Sequence, residues 1–289
     1  MGLQTAARVH TSEVFDLLSK NTGQDYQISV SLPASYFHKP ETTFPSVYVL
    51  DGNLHFETAT GICRFMQLNR TLPEVVIISI GYLLEGSYGE EFNQIIIRRA
   101  KDLTAVVDRD YEQFARDAFK IEGIEIETGG AEYFLKFITE ELMPNVEERY
   151  RVNASDRTLL GHSTGGHFAT YALLQHPQVF NKFAVGSPSL GFGNDVLFEM
   201  ENDYANQFNQ LPVKLFFGIG EQEEHSPFSP AGYLGTIVSV SGFYRFAALL
   251  EERGYAGLEF SKKVFEGHGH TDVMGPFVTS GLKYLFSNE

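Results

Sequence analysis

The stretch Arg157–Pro177, "RTLLGHSTGGHFATYALLQHP", sets a serine between a short apolar run and a run of helix formers, with glycines on both sides. Gly161 to Gly165 reads G-H-S-T-G, a match to the G-x-S-x-G nucleophile elbow. The flanks give the match its context. "RTLLG" predicts a strand and "TGGHFATYALLQHP" a helix rich in Ala and Leu, so Ser163 falls on the turn between them. A sharp, strained strand-to-helix turn exposes the serine and brings backbones close together. Side chains at Gly161 and Gly165 would clash there. The helix N-terminus behind Ser163 favours developing negative charge.

Outward from this turn, strands and helices alternate. "QISVSLP" alternates apolar and polar residues like a half-buried strand, while "SVYVL", "VVIISI", "KFAVGS" and "KLFFGIG" are short β-rich runs typical of buried parallel strands. In "AEYFLKFITEELMPNVEERY", Phe134, Leu135, Ile138, Leu142 and Val146 form one helical stripe that Pro144 kinks or divides. "GFYRFAALLEERG" and "GPFVTSGLKYLF" share the period. With no repeat, low-complexity tract or linker, the pattern predicts a single α/β domain over residues 1–289, built on a mostly parallel sheet. Two long segments rich in Gly, Pro and charge, Tyr82–Thr104 and Glu221–Ser241, read as functional loops.

Composition removes several function classes. A chain of 289 residues with 43% hydrophobic and 13% aromatic residues buries a large core. Its formal charge of -15 repels phosphate backbones and anionic lipid headgroups, which argues against nucleic acid and membrane partners and makes a small-molecule or cationic partner easier to accommodate. The N-terminal "MGLQTAARVHTSEVF" lacks the apolar stretch of a signal peptide, no segment approaches a membrane span, and Cys63 is the lone cysteine. A cytoplasmic location is the simplest expectation. Cys63, beside apolar Ile62 and Phe65, reads as a small buried residue on the helix after the third strand.

A serine nucleophile near neutral pH needs a base, and the base needs a group to orient it. "FEGHGHTD" follows the strand "LEFSKKVF" and precedes the last helix, offering His268 and His270. His270 lies deeper in the loop, beside Thr271 and Asp272, and is the preferred base, with His268 flanking it. The acid belongs just past "KLFFGIG", where the chain reads "GIGEQEEHS". Counting G-x-x-acid from Gly220 gives Glu223, and from Gly218 gives Glu221. Glu223 is preferred because the strand runs through Ile219, with Glu221 as the alternative. The oxyanion of an acyl-transfer step requires two donors. One is the backbone N–H of Thr164, next after the serine, and the other is that of Asn53, where "VYVLDGNLHF" empties from a strand into Asp51-Gly52-Asn53.

Taken in order, "VYVLDGN", "TGGA" ahead of a long helix, "GHSTGGHFA", "GSPSL", a GxxE after a strand and "EGHGHTD" before the final helix resemble the esterase D-like α/β hydrolases. Within these the chain is most similar to the ferric-siderophore trilactone esterases that cleave enterobactin- and bacillibactin-type compounds. The resemblance runs from about Val14 to Phe286. It implies an α/β-hydrolase fold and a serine esterase working through an acyl-enzyme, with Ser163 as nucleophile, His270 as base, Glu223 as acid, and Asn53 and Thr164 as oxyanion donors. Such chemistry needs no metal and no organic cofactor. Acyl transfer on the same fold, and a binding protein that has lost the chemistry, are the alternatives. Two departures bear on substrate. After "SPS", where the family tends to carry bulky aromatics, this chain has "LGFGND", leaving Phe192 as the aromatic on a more open wall. The segment "HSPFSPAGYLGTIVSVS" is longer than usual. A ferric catecholate is strongly anionic, so a local basic cluster of Arg98, Arg99 and Lys101 is the expected binding surface. The same three residues also fit a solvated face paired with Glu90, Glu91 and Asp102.

Overall fold

The computed structural model describes residues 9–121, 123–225 and 237–287. Its sheet has eight strands: β1 Ser12–Leu18, β2 Asp25–Ser31, β3 Phe44–Val49, β4 Val76–Tyr82, β5 Val152–His162, β6 Lys182–Gly186, β7 Lys214–Gly220 and β8 Glu259–Phe265. They lie in the order β1-β2-β4-β3-β5-β6-β7-β8. Only β2 runs against its neighbours β1 and β4, and the pairings from β4 across to β8 are parallel. This is the mostly parallel α/β-hydrolase architecture expected from the sequence.

Parallel neighbours require crossovers, and the crossovers place helices on both faces. Helix α1 Gly52–Leu68 follows β3, while α2 Tyr88–Asp102 and α3 Arg109–Ala118 follow β4. Then come α4 Ala131–Lys136, α5 Met143–Arg149, and, after β5, α6 Thr164–Gln175. α7 Phe192–Gln207 follows β6, α8 Val240–Arg253 precedes β8, and α9 Met274–Leu285 ends the fold. α1 and α9 close one face around Val49, Cys63, Leu160, Phe216 and Phe277. The larger core on the other face holds Tyr26, Phe134, Phe168, Phe183, Phe217 and Phe243. All of β4 is buried, which is why its sequence reads as a continuous apolar run.

Locally the structure revises or extends the sequence reading. The segment Tyr82–Thr104 is no loop, because most of it forms α2. Glu90 accepts both the N–H and the hydroxyl of Ser87 at 2.7 Å, a capping box opening a helix that buries Ile95, Ile96, Arg99 and Ala100. The stripe through Phe134 and Val146 is interrupted by a π-helical turn, Phe137–Leu142, just before Pro144. Proline has no N–H to donate and its ring crowds the carbonyl four residues back, so the wider turn accommodates it. The chain at Ser12–Leu18 is an edge strand that sequence reading left unassigned. Cys63 is buried as expected, its thiol pushed up to about 12 by burial, but its neighbour Phe65 points to solvent. Most of "HSPFSPAGYLGTIVSVS" lies outside the described residues, and Glu221–His225 ahead of it forms a short 3-10 turn.

Candidate active site

β3, β5 and β6 are neighbours in the sheet, and each is followed by a non-glycine residue with positive φ: Asp51 at 52°, Ser163 at 62° and Ser187 at 41°. Such backbone is strained and persists where surrounding contacts over-determine it. Ser163 sits at ψ -123°, between the end of β5 and the first turn of α6. A Cβ on Gly161 would collide with the carbonyl of Gly165, so the close approach read from the sequence is real there. At Gly165 a Cβ would meet the Asp51 carboxylate at 3.1 Å, a tight contact rather than a collision.

Loops from β7 and β8 bring the other groups to Ser163. His270 Nε2 lies 2.9 Å from Ser163 Oγ, and its Nδ1 lies 2.7 Å from Glu223 Oε2. With Glu223 ionised, Nδ1 carries the proton and Nε2 faces the hydroxyl as acceptor. The 3-10 turn after β7 carries Glu223 inward, where Oε1 accepts the Gly220 N–H at 2.7 Å and the Ser187 hydroxyl at 2.6 Å. The Glu223 side chain is 1% exposed and the His270 side chain 32%. Of the two acids weighed, Glu223 stands against His270. Glu221 is exposed and accepts the Gly267 N–H at 3.0 Å, bracing the base of the histidine loop. His268 turns aside, its Nδ1 2.8 Å from Asp272 Oδ2.

On the opposite flank, the Asn53 side chain clamps the end of β4. It accepts the Tyr82 N–H at 2.7 Å and donates to the Tyr82 carbonyl at 3.0 Å. The backbone N–H groups of Asn53 and Thr164 lie in the first turns of α1 and α6, and neither has an acceptor among the described residues. Both are therefore available to an incoming oxygen.

The residues expected to bind substrate stand elsewhere. Arg99 is buried, and its Nε and Nη2 donate to Asp51 at 2.8 and 2.9 Å. Its Nη1 donates to Thr164 Oγ1 at 3.2 Å. Burial alone would lower its pKa, yet the Asp51 charge and hydrogen bonds raise it on balance. Arg98 donates to the Asp25 carbonyl at 3.2 Å, and Lys101 pairs with Glu127 at 2.5 Å. Asp102 is buried beneath them, accepting from Tyr26 and Gln24, and burial pushes its carboxyl up to about 7. The three cations thus form neither a joint basic cluster nor the solvated ladder with Glu90, Glu91 and Asp102. Phe192 is fully buried, its ring edge-on to His167 and Tyr111 with centroids 5.1 and 5.2 Å away, so it packs the core instead of walling a pocket.

Sequence reading missed Asp51 as a side chain, Ser187, His162 and His167. His167 is buried and neutral, its pKa lowered to about 4 by burial. It accepts the Ala105 N–H at Nε2 and donates from Nδ1 to the Ser189 carbonyl at 2.9 Å. The His162 ring lies 4.8 Å from that of His270. Burial foremost, then the His270 charge, hold its pKa well below the usual histidine range.

A family model described as a putative esterase matches residues 19–117 and 105–210. The chain is 34% identical over 287 residues to the siderophore enterobactin esterase of Emericella nidulans, covering 90% of this chain and 89% of that protein. It is 28% identical over 289 residues to the ferri-bacillibactin esterase BesA of Bacillus subtilis, covering 98% and 92%. The siderophore hydrolase EstB from Aspergillus nidulans superposes with a TM-score of 0.77 at 27% identity, covering 98% of each chain. Among the described residues no helix is long and apolar enough to cross a membrane. With family model, relatives and fold in agreement, the chain belongs to this esterase family and is an ester hydrolase of the α/β-hydrolase fold.

Proposed function

We propose that Ser163, His270 and Glu223 form the catalytic triad of a siderophore trilactone esterase, with the N–H groups of Asn53 and Thr164 as its oxyanion donors. The observation that carries this reading is the unbroken chain from Ser163 Oγ to His270 Nε2 at 2.9 Å and from His270 Nδ1 to Glu223 Oε2 at 2.7 Å. Ser163 attacks the ester carbonyl while Nε2 takes its proton, and the buried Glu223 carboxylate stabilises the imidazolium. The carbonyl oxygen, now negative, receives the two backbone N–H groups, aided by the N-terminus of α6. Collapse releases the alcohol, which takes the proton from Nε2. Water activated by the same nitrogen then cleaves the acyl-enzyme. No step draws on a metal or organic cofactor.

The substrate class rests on the relatives, whose names specify enterobactin and ferri-bacillibactin. The protein acts as a single domain over residues 1–289, a reading supported by one sheet spanning Ser12 to Phe265. We assign it to the cytoplasm on its single, buried cysteine. Purified protein incubated with ferric and iron-free trilactones, followed by mass spectrometry of the linearised products, tests the function. Stepwise gain of one water per ester is expected. Hydrolysis of p-nitrophenyl acetate without opening of any trilactone would sink the substrate class, and acyl transfer to an added alcohol in preference to water would make the enzyme a transferase.

A further inference from the structure

We propose that Arg99 is a positioning residue that sets the placement of the two oxyanion donors relative to each other, and that it does not bind substrate charge. The proposal rests on the esterase reading, because it gives the Asn53 and Thr164 N–H groups their role. Those two groups open helices far apart in the chain, α1 after β3 and α6 after β5. A single guanidinium ties both. Nε and Nη2 take the Asp51 carboxylate in a planar, two-bond grip, and Nη1 reaches the Thr164 hydroxyl. That hydroxyl is further hydrogen-bonded to Tyr111, whose phenol is buried. The two helix starts meet closely enough that a Cβ on Gly165 would lie 3.1 Å from Asp51 Oδ2.

The grip has two consequences. Asp51 is left-handed at φ 52° immediately before α1, so a carboxylate held by a rigid fork fixes the direction in which the Asn53 N–H points. The Asp51 side chain has no exposed surface, and an uncompensated carboxylate there would oppose the oxyanion that forms beside it. Arg99 cancels that charge, and with its side chain only 11% exposed it has little left to offer an anionic ligand.

The experiment compares Arg99→Met, the double variant Arg99→Met/Asp51→Asn, and Thr164→Val. The readouts are kcat and KM on p-nitrophenyl acetate and on the anionic mono-(p-nitrophenyl) succinate, together with thermal melting. Arg99→Met strands the Asp51 charge, so both Tm and kcat fall. The double variant removes that charge, with Asn tolerating the left-handed backbone, so Tm recovers while kcat remains roughly tenfold to a hundredfold down and KM is unchanged for both esters. Thr164→Val keeps the ion pair and the backbone N–H but loses the hydroxyl, and kcat falls about threefold to tenfold at constant KM. Recovery of kcat along with Tm in the double variant would make Arg99 merely structural. A rise of KM confined to the succinate ester would make it a substrate anchor. If the first two variants do not fold, wild-type kcat in Thr164→Val overturns the brace. A wild-type protein inert on both esters overturns the esterase reading and this proposal together, whereas loss-free variants of an active enzyme overturn this proposal alone.

Discussion

The two flanks of Ser163 are held by different physics. On the side of α1 and α2, an ion pair with almost no exposed surface ties Asp51, Arg99 and Thr164. On the side of β7 and β8, one buried carboxylate gathers neutral donors from Ser187 and Gly220 and the imidazole of His270, which stays one-third open. The contrast follows from what each flank does in the proposed mechanism. Oxyanion donors move no proton, so a rigid charge lock costs them nothing during turnover. The base must exchange protons with the leaving alcohol and with water, so it needs access and a partner that keeps its tautomer without burying its ring.

The hardest blow to this contrast is at the centre. Ser163→Ala should abolish turnover, and His270→Ala should lower kcat by roughly 10³-fold or more, with folding preserved by circular dichroism. His268→Ala should act mildly, because its ring turns to Asp272. Labelling by a fluorophosphonate probe reads the nucleophile directly. Equal labelling of Ser163→Ala and wild type would remove Ser163 from its role, and a reversed ranking of the histidines would move the base.

Next in size is the carboxylate of the open flank. In Glu223→Gln the amide oxygen must still accept from Gly220 and Ser187, which leaves the NH2 facing His270 Nδ1. Nδ1 then becomes an acceptor and the proton sits on Nε2, where it blocks deprotonation of Ser163. The loss should approach ~10⁴ in kcat with little change in KM. Glu221→Gln keeps an acceptor for the Gly267 N–H, and Glu224→Gln keeps one for Ser241, so both should remain within about twofold of wild type. A damaged Glu221→Gln beside an active Glu223→Gln would transfer the acid role to Glu221.

Ser163, His270 and Glu223 were readable in the sequence and the pairing of Arg99 with Asp51 and Thr164 was not, for a physical reason. Glu223, His270 and Ser163 each follow a parallel strand at its C-terminal end, so strand boundaries plus short counts along "GIGEQEEHS" and "EGHGHTD" reach them. Arg99 lies on α2, and its partners Asp51 and Thr164 are 48 and 65 positions away. Nothing local in "IIIRRAKD" distinguishes the arginine that turns inward from Arg98 beside it, except the helical phase. That phase was legible: Ser87 with Glu90 opens a helix, and Ile95, Ile96 and Arg99 share its buried face. Reading the segment as a loop hid the phase, and with it the direction of Arg99. Phe192 failed differently, because its burial depends on His167 and Tyr111 from other elements.

Buried histidines make stability around the site depend on pH. His162 and His167 are kept neutral by burial, their folded pKa values depressed, that of His167 to about 4. The unfolded chain binds their protons from about pH 6.5 downward, so stability is full above that pH and is lost as pH falls toward the folded values. Asp102 works the other way. Its carboxyl, pushed up to about 7, stays protonated in the fold while the unfolded chain ionises, so its contribution declines as pH rises from the ordinary carboxylate range to about 7. In His167→Gln, an amide can still accept from Ala105 and donate to Ser189, and one proton-linked loss disappears. Urea melts at pH 5 and pH 7 should show the wild-type difference shrinking by about 2 kcal/mol in this variant. An unchanged difference would mean that His167 is protonated in the fold.

A modest effect separates the flanks most finely. Ser187 donates one hydroxyl to Glu223 Oε1, which keeps the Gly220 N–H when the hydroxyl is gone. The strained backbone at Ser187 does not depend on the hydroxyl, because its N–H is held by the Gly218 carbonyl at 2.7 Å. Ser187→Ala therefore removes one tether from a carboxylate that retains its other contacts. A hydrogen bond to a charged group is worth about 1.5–3 kcal/mol, and the remaining Gly220 and His270 contacts should limit the loss of kcat to about fivefold at constant KM. The effect should be smaller than that of breaking the ion pair on the opposite flank, where a single guanidinium serves both helix starts. If Ser187→Ala instead matches Glu223→Gln, this flank is as tightly locked as the other, and the hydroxyl sets the geometry of the acid that it binds.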